Sequence, residues 1–114
     1  MIVSLVKIDA HNIEDWPSFH DEFDRVFVFP DFYGRNMGAW IDCMSSLDEP
    51  GDGLTGIHVE KGGVLTIEIE GVDHLRSKCP EQYDALIDCS AFVNWRRIEQ
   101  GERPVLALSF HSPG

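Results

Sequence analysis

The order of hydrophobic patterns along the chain predicts an α/β fold: a small, mostly parallel β-sheet covered by helices, with one added β-hairpin strand. Three observations lead there. Runs rich in Val, Ile and Leu at Ile2–Ile8, Val64–Glu70 and Val105–Phe110 read as strands. Segments of helical period lie between them, giving strand, two helices, strand, helix, strand, which implies a parallel sheet with right-handed crossovers. The 114 residues, 43% hydrophobic, suit a single domain spanning 1–114 that buries roughly two-thirds of its unfolded surface.

Each element follows from local chemistry. Asp15 is placed to cap a first helix in which Trp16, Phe19, His20, Phe23 and Phe27 form the inward stripe. Asp21, Glu22, Asp24 and Arg25 are expected to face water. Pro30 stops this helix, because proline breaks the hydrogen-bond ladder. A second helix begins at Asn36, an N-cap type, after Gly34 has permitted a bend. Its Trp40, Cys43, Met44 and Leu47 recur at i, i+3, i+4 and i+7 and make one apolar face. The stretch Asp48-Glu49-Pro50-Gly51-Asp52-Gly53 reads as a loop. Alternation in Ile57–Glu60 and Val64–Glu70 around Gly62-Gly63 predicts the hairpin, its second arm joining the main sheet. Pro80 and Glu81 suit the first turn of a long helix reaching about Arg97, with Tyr83, Leu86, Ile87, Ser90 and Val93 along one side. Gly101 and Pro104 close it before the last strand.

Charge narrows the function. The chain carries 20 acids against 9 bases, a formal net of −11. Residues 1–53 hold 11 of the acids and 3 of the bases, so −8 of the −11 lies in that half. Direct binding of nucleic acid is disfavoured, because phosphates require a basic footprint. A basic protein partner fits, since opposite fields steer encounter. The apolar runs are too short for a membrane span and no leader pattern precedes the first strand, so no membrane role is expected. Three cysteines (Cys43, Cys79, Cys89) lack CxxC spacing, which points away from a disulfide framework or zinc and toward a reducing cytoplasm.

Catalysis has little to stand on. His20 and Asp24 lie at i, i+4, but a single His–Asp pair without a nucleophile or metal motif is weak, and an inward His20 reads as a core histidine. His11, His58, His74 and His111 show no HxxxH or HExxH spacing. Ser45 and Ser46 lack an activated-serine setting, and the glycines at 51, 53 and 56 carry no lysine for a phosphate cradle. No enzyme, cofactor or metal site is expected.

The stretch Phe29-Pro30-Asp31-Phe32-Tyr33-Gly34-Arg35-Asn36-Met37-Gly38-Ala39-Trp40-Ile41-Asp42 is the most informative in the chain. A capped helix there presents Asp42 among Gly38, Ser45, Met37 and Ile41, beside an aromatic loop. Small and apolar neighbours let a partner approach a carboxylate closely and exclude water. The stretch resembles the barstar family of ribonuclease inhibitors, whose motif runs Pro-x-Tyr-Tyr-Gly-x-Asn-Leu-Asp-Ala-Leu-x-Asp. Pro30, Tyr33, Gly34, Asn36, Ala39 and Asp42 match it, while Phe32, Met37 and Trp40 are apolar exchanges. Phe19, Phe23, Phe27 and Phe29 fall on leucine positions of the family and His20 on its histidine, so the likeness covers roughly residues 13–47.

The resemblance implies inhibition by mimicry: a carboxylate on a rigid helix takes the place of the substrate phosphate in a basic ribonuclease or related toxin. The implied partner-binding residues are Phe32, Arg35, Asn36, Met37, Gly38, Ile41, Asp42 and Ser45, on a protein that is monomeric when free. The long C-terminal helix is expected to contribute, with no acid assigned. Three departures imply a partner other than the ribonuclease that barstar inhibits. Gly38 stands for an aspartate, Ile41 for a tryptophan, and Arg35 for an acid. The alternative reading is an acidic adaptor of the same fold with a non-nuclease partner.

Overall fold

The computed structural model describes residues 1–112; the last two positions of the expected 1–114 domain lie outside the described residues. Three strands, β1 (Leu5–Asp9), β2 (Leu65–Glu70) and β3 (Leu106–His111), form a parallel sheet in the order β1-β2-β3. Leu5 pairs with Thr66 and Thr66 with Ala107, and the register continues to Asp9, Glu70 and His111. Four helices connect and cover the strands: α1 (Trp16–Phe27), α2 (Met37–Ser45), α3 (Val72–Lys78) and α4 (Pro80–Glu99). Short 3-10 turns occupy Ala10–Asn12 and Pro50–Asp52.

Strand β2 is central, so its period of two separates the sheet's faces. Leu65, Ile67 and Ile69 are buried in the core, whereas Thr66, Glu68 and Glu70 are half-buried on the other face. There Lys7 of β1 lies 3.9 Å from Glu68 and 3.7 Å from Glu70. The core joins these strand residues to Phe19, Phe23 and Phe27 of α1 and to Trp40, Cys43 and Met44 of α2. Phe23 and Trp40 meet edge to face with ring centroids 5.7 Å apart, which fixes α1 against α2. On α4 the buried stripe is Gln82, Leu86, Ser90, Val93 and Arg97.

Helix α1 starts as its capping residues require. Asp15 accepts from the Ser18 N–H at 2.9 Å while the Ser18 hydroxyl serves the Asp15 N–H, a reciprocal cap. The helix ends at Phe27, before Pro30 is reached. Val28 turns into the left-handed region (φ 54°), and the Asp24 carboxylate accepts the Phe29 N–H at 3.0 Å. Asp24 therefore terminates α1 rather than simply facing water.

Three further expectations are corrected. Glu22 is buried: it accepts from the Asp9 N–H, the Asn12 amide and Arg25. Burial raises its pKa, but these donors outweigh that and hold it below the usual carboxylate range. The added β-hairpin does not form. Ile57–Val59 makes only an isolated parallel bridge between His58 and Ile2, and Ile57 and Val59 bury their side chains in the core. The turn closes within Glu60–Gly63, where the Gly63 N–H reaches Glu60 O at 2.7 Å, and the chain enters β2 without folding back. Finally, α3 has no counterpart among the expected elements. Its seven residues follow Gly71, whose φ of 75° and close contact with the His11 ring leave no room for a side chain.

No described helix is long and apolar enough to cross a membrane.

Candidate functional site

The motif segment builds the rim of a cleft. Asn36 caps α2 as its position requires, accepting the Ala39 N–H at 2.8 Å, and its amide donates back to Gly34 O at 3.2 Å. A Cβ on Gly34 would come within 3.1 Å of that amide, so the tight loop and the cap depend on one another. Arg35 occupies the left-handed region (φ 53°), and its guanidinium reaches Pro17 O at 3.0 Å and Asp21 at 2.8 Å. Its charge ties the loop to α1.

Tyr33 anchors the loop from below. Its ring packs on Phe29 at 4.3 Å between centroids, and its hydroxyl shares a 2.6 Å hydrogen bond with His20 Nδ1. His20 is buried and satisfied, which removes it as a general base. Burial, and secondarily the Arg35 charge, push its pKa below the ordinary histidine value. Burial likewise drives the Tyr33 hydroxyl well above its usual range. Phe32, by contrast, is 75% exposed. The conformation that packs Tyr33 half-buried against the core leaves its neighbour projecting into solvent.

Between this loop, α2, the 46–54 loop and the C-terminal end of α4 lies a cleft of about 630 Å³. Of the predicted residues, Phe32, Asp42 and Ser45 line it, together with Gly34 and Ala39. Arg35, Asn36, Met37, Gly38 and Ile41 do not. Gly38 is exposed one turn before Asp42, while Met37 and Ile41 are half-buried and pack on the core margin. Cys43 contributes to the cleft wall, but burial pushes its thiol up to about 11, so it is not a nucleophile at neutral pH.

Two contributors lie beyond the motif. The first is the end of α4. Arg96 approaches Asp42 Oδ1 at 3.3 and 3.4 Å and donates to Ser45 Oγ at 2.8 Å; that hydroxyl in turn donates to Ile41 O at 2.7 Å. The second is the 46–54 loop, which brings Glu49, Asp52 and Leu54 to the cleft. This loop is anchored by a buried ion pair: Arg97 donates to both Asp48 oxygens at 3.1 and 2.9 Å, and also to Ser45 O and Arg103 O. Burial raises the Asp48 pKa, but Arg97, the Gly62 N–H and Lys61 more than offset it and keep the carboxylate below its usual range. Asp48, Glu49 and Glu102 bring carboxylate oxygens within 4.8 Å of one another. Arg97 and Lys61 lie among them and offset two of the three negative charges.

The site is thus a groove with an acidic rim of Asp42, Glu49, Asp52 and Glu102 and an aromatic lip, Phe32. Spacing along α2 is enough to find Asp42. Nothing in local spacing signals that Arg96, 54 positions later, stands beside it.

The Barstar (barnase inhibitor) family matches residues 3–108 of the chain. Among curated proteins, "Putative ribonuclease inhibitor YrdF" of Bacillus subtilis (strain 168) is 38% identical over 40 residues, which cover 35% of this chain and 44% of that protein. The matched segment therefore spans less than half of that relative. The family is one of inhibitors rather than enzymes, in keeping with the satisfied His20 and the unreactive Cys43. The chain belongs to the barstar family.

Proposed function

We propose that this protein inhibits a basic ribonuclease or related toxin by covering its substrate site with the acidic cleft rim. The observation that carries the reading is the presentation of Asp42. Its side chain is 67% exposed, on a helix whose start is fixed by the Asn36 cap and whose flank is braced by α4. A ribonuclease holds RNA phosphate with cationic side chains, and a pre-positioned carboxylate substitutes for that phosphate at low ordering cost. Phe32 supplies an apolar contact beside it, and Gly38 leaves the approach to Asp42 open. Arg35, Asn36, Met37, Ile41 and Ser45 act by holding this surface or by framing it.

Inhibition is by occlusion and requires no chemistry on the inhibitor. The name of the Bacillus subtilis relative supports a ribonuclease as the partner class. The three cysteines are all free, which suits a cytoplasmic protein, and 1–114 acts as one domain, monomeric before it meets its partner. The deciding experiment captures the product of an adjacent gene on the immobilised protein and measures its RNA cleavage with and without inhibitor. Stoichiometric loss of cleavage is expected. Binding of a partner that has no nuclease activity would instead favour the adaptor reading.

A further inference from the structure

We infer that Arg96 decides which nuclease this cleft accepts, and that the partner must set a carboxylate beside the cation that binds Asp42; this rests on the inhibitor reading above. In the free protein Arg96 is held unequally. Its contact with Ser45 Oγ is 2.8 Å, but its two approaches to Asp42 Oδ1 are 3.3 and 3.4 Å. Well-formed charge-assisted bonds between a guanidinium and a carboxylate run at roughly 2.7–2.9 Å, so this pair is loose. Asp42 Oδ2 has no partner among the described residues, and Arg96 engages only its two terminal nitrogens in this way. The Arg96 side chain remains 34% exposed.

Docking of a protein over the cleft removes that residual water. A guanidinium sealed under an interface with its spare donors unpaired is strongly unfavourable, and a like charge brought against it adds repulsion. A substrate site that is cationic throughout meets Asp42 well but collides with Arg96. A site in which a carboxylate neighbours the cation satisfies both, with the cation on Asp42 Oδ2 and the carboxylate on the free Arg96 donors. Arg35 gives no alternative positive group here, because it is committed to Asp21 and Pro17 O outside the cleft. Arg96 is therefore a filter inside an otherwise acidic rim.

The test uses barnase, the protein for which the family's inhibitors are named, as a fixed probe. Wild type, Arg96→Ala, Arg96→Glu and Arg96→Glu/Asp42→Ala are compared by inhibition of RNA cleavage and by calorimetric affinity. Circular dichroism checks that each is folded. Removing the guanidinium should tighten binding about 10-fold and reversing it about 100-fold, in the range of close interfacial charge couplings. The gain should disappear in the double variant, because it operates through Asp42. Arg96→Ala keeps the test open if the reversed charge disturbs α4. Equal or weaker binding by both single variants overturns the assignment, and so does absence of measurable binding by every folded variant. Neither result bears on the inhibitor reading, which is decided with the captured partner. A gain that survives removal of Asp42 also overturns it, since that would be a net-charge effect alone.

Discussion

Arg97, near the end of α4, is buried against Asp48, just beyond α2, with the two groups 2.9 Å apart and 3% and 1% exposed. This one contact joins the C-terminal helix to the loop that forms the far wall of the cleft. A buried pair of this kind is costly to break from one side, because the remaining charge has no solvent to turn to. Arg97→Met should therefore destabilise the fold by about 3–5 kcal/mol in chemical denaturation, and Arg97→Met/Asp48→Leu should recover much of that loss. If the double variant is no more stable than the single one, the Arg97 bonds to Ser45 O and Arg103 O carry the stability instead of the ion pair.

The first helix gives a packing prediction. Phe23 is fully buried between Phe19, Phe27 and Trp40, so Phe23→Ala should cost about 3–5 kcal/mol through lost transfer energy and an unfilled cavity. Asp24, the next residue along, accepts the Phe29 N–H and should cost about 1 kcal/mol when replaced by alanine. Urea midpoints for the two variants measure both values. A neutral Asp24→Ala would show that the left-handed turn at Val28 holds without its side-chain acceptor.

Stability should fall as pH drops from about 7 to about 5, and His20 should be responsible. Its folded pKa lies below the unfolded value of about 6.5, so the unfolded chain binds the proton more readily. The contribution is complete above the unfolded pKa and is lost as pH falls toward the folded one. Glu22 and Asp48 also have depressed values, but as carboxylates they keep their contributions until pH falls below about 4. Melting temperatures across this range should decline for wild type and flatten for His20→Gln. An unchanged slope in the variant would assign the effect to other groups.

Association with a basic partner should be steered by the acidic half of the chain. The on-rate should drop markedly as salt rises until the screening length is ~10 Å or less, while the off-rate changes little. Stopped-flow mixing with the captured partner separates the two. An on-rate indifferent to salt would leave the charge asymmetry without a role in encounter.

Asp42→Ala should weaken inhibition of the captured partner by about 2–5 kcal/mol while leaving the fold intact, since the side chain is mostly exposed. Much of that loss would be the penalty of leaving the partner's cation buried and unpaired under the interface. Asp84→Ala, an exposed acid on α4 away from the cleft, is the charge-matched control and should have little effect. Equal losses at both positions would reduce Asp42 to a share of the net charge.

Local patterns along the chain suffice for the α/β class, the parallel order of the strands, the caps of α1 and α2, and the apolar faces that meet at Phe23 and Trp40. Periodicity and capping chemistry act within a few residues, so a linear reading captures them. The same reading puts Asp42 on an exposed helical position beside the aromatic loop, but only the folded chain shows Phe32 projecting into solvent. What surrounds that carboxylate is set by packing. Glu22 reads as solvated in a helical period, yet the Asp9 backbone, Asn12 and Arg25 bury and satisfy it. Alternation around Gly62-Gly63 fits a hairpin, yet β2 is claimed on both sides by β1 and β3, leaving Ile57–Val59 to bury its side chains without a ladder of its own. Arg96 and Arg97 reach α2 and its loop only because α4 returns across them. Those contacts join residues 54 and 49 positions apart, and no local period encodes a meeting that depends on how whole elements pack.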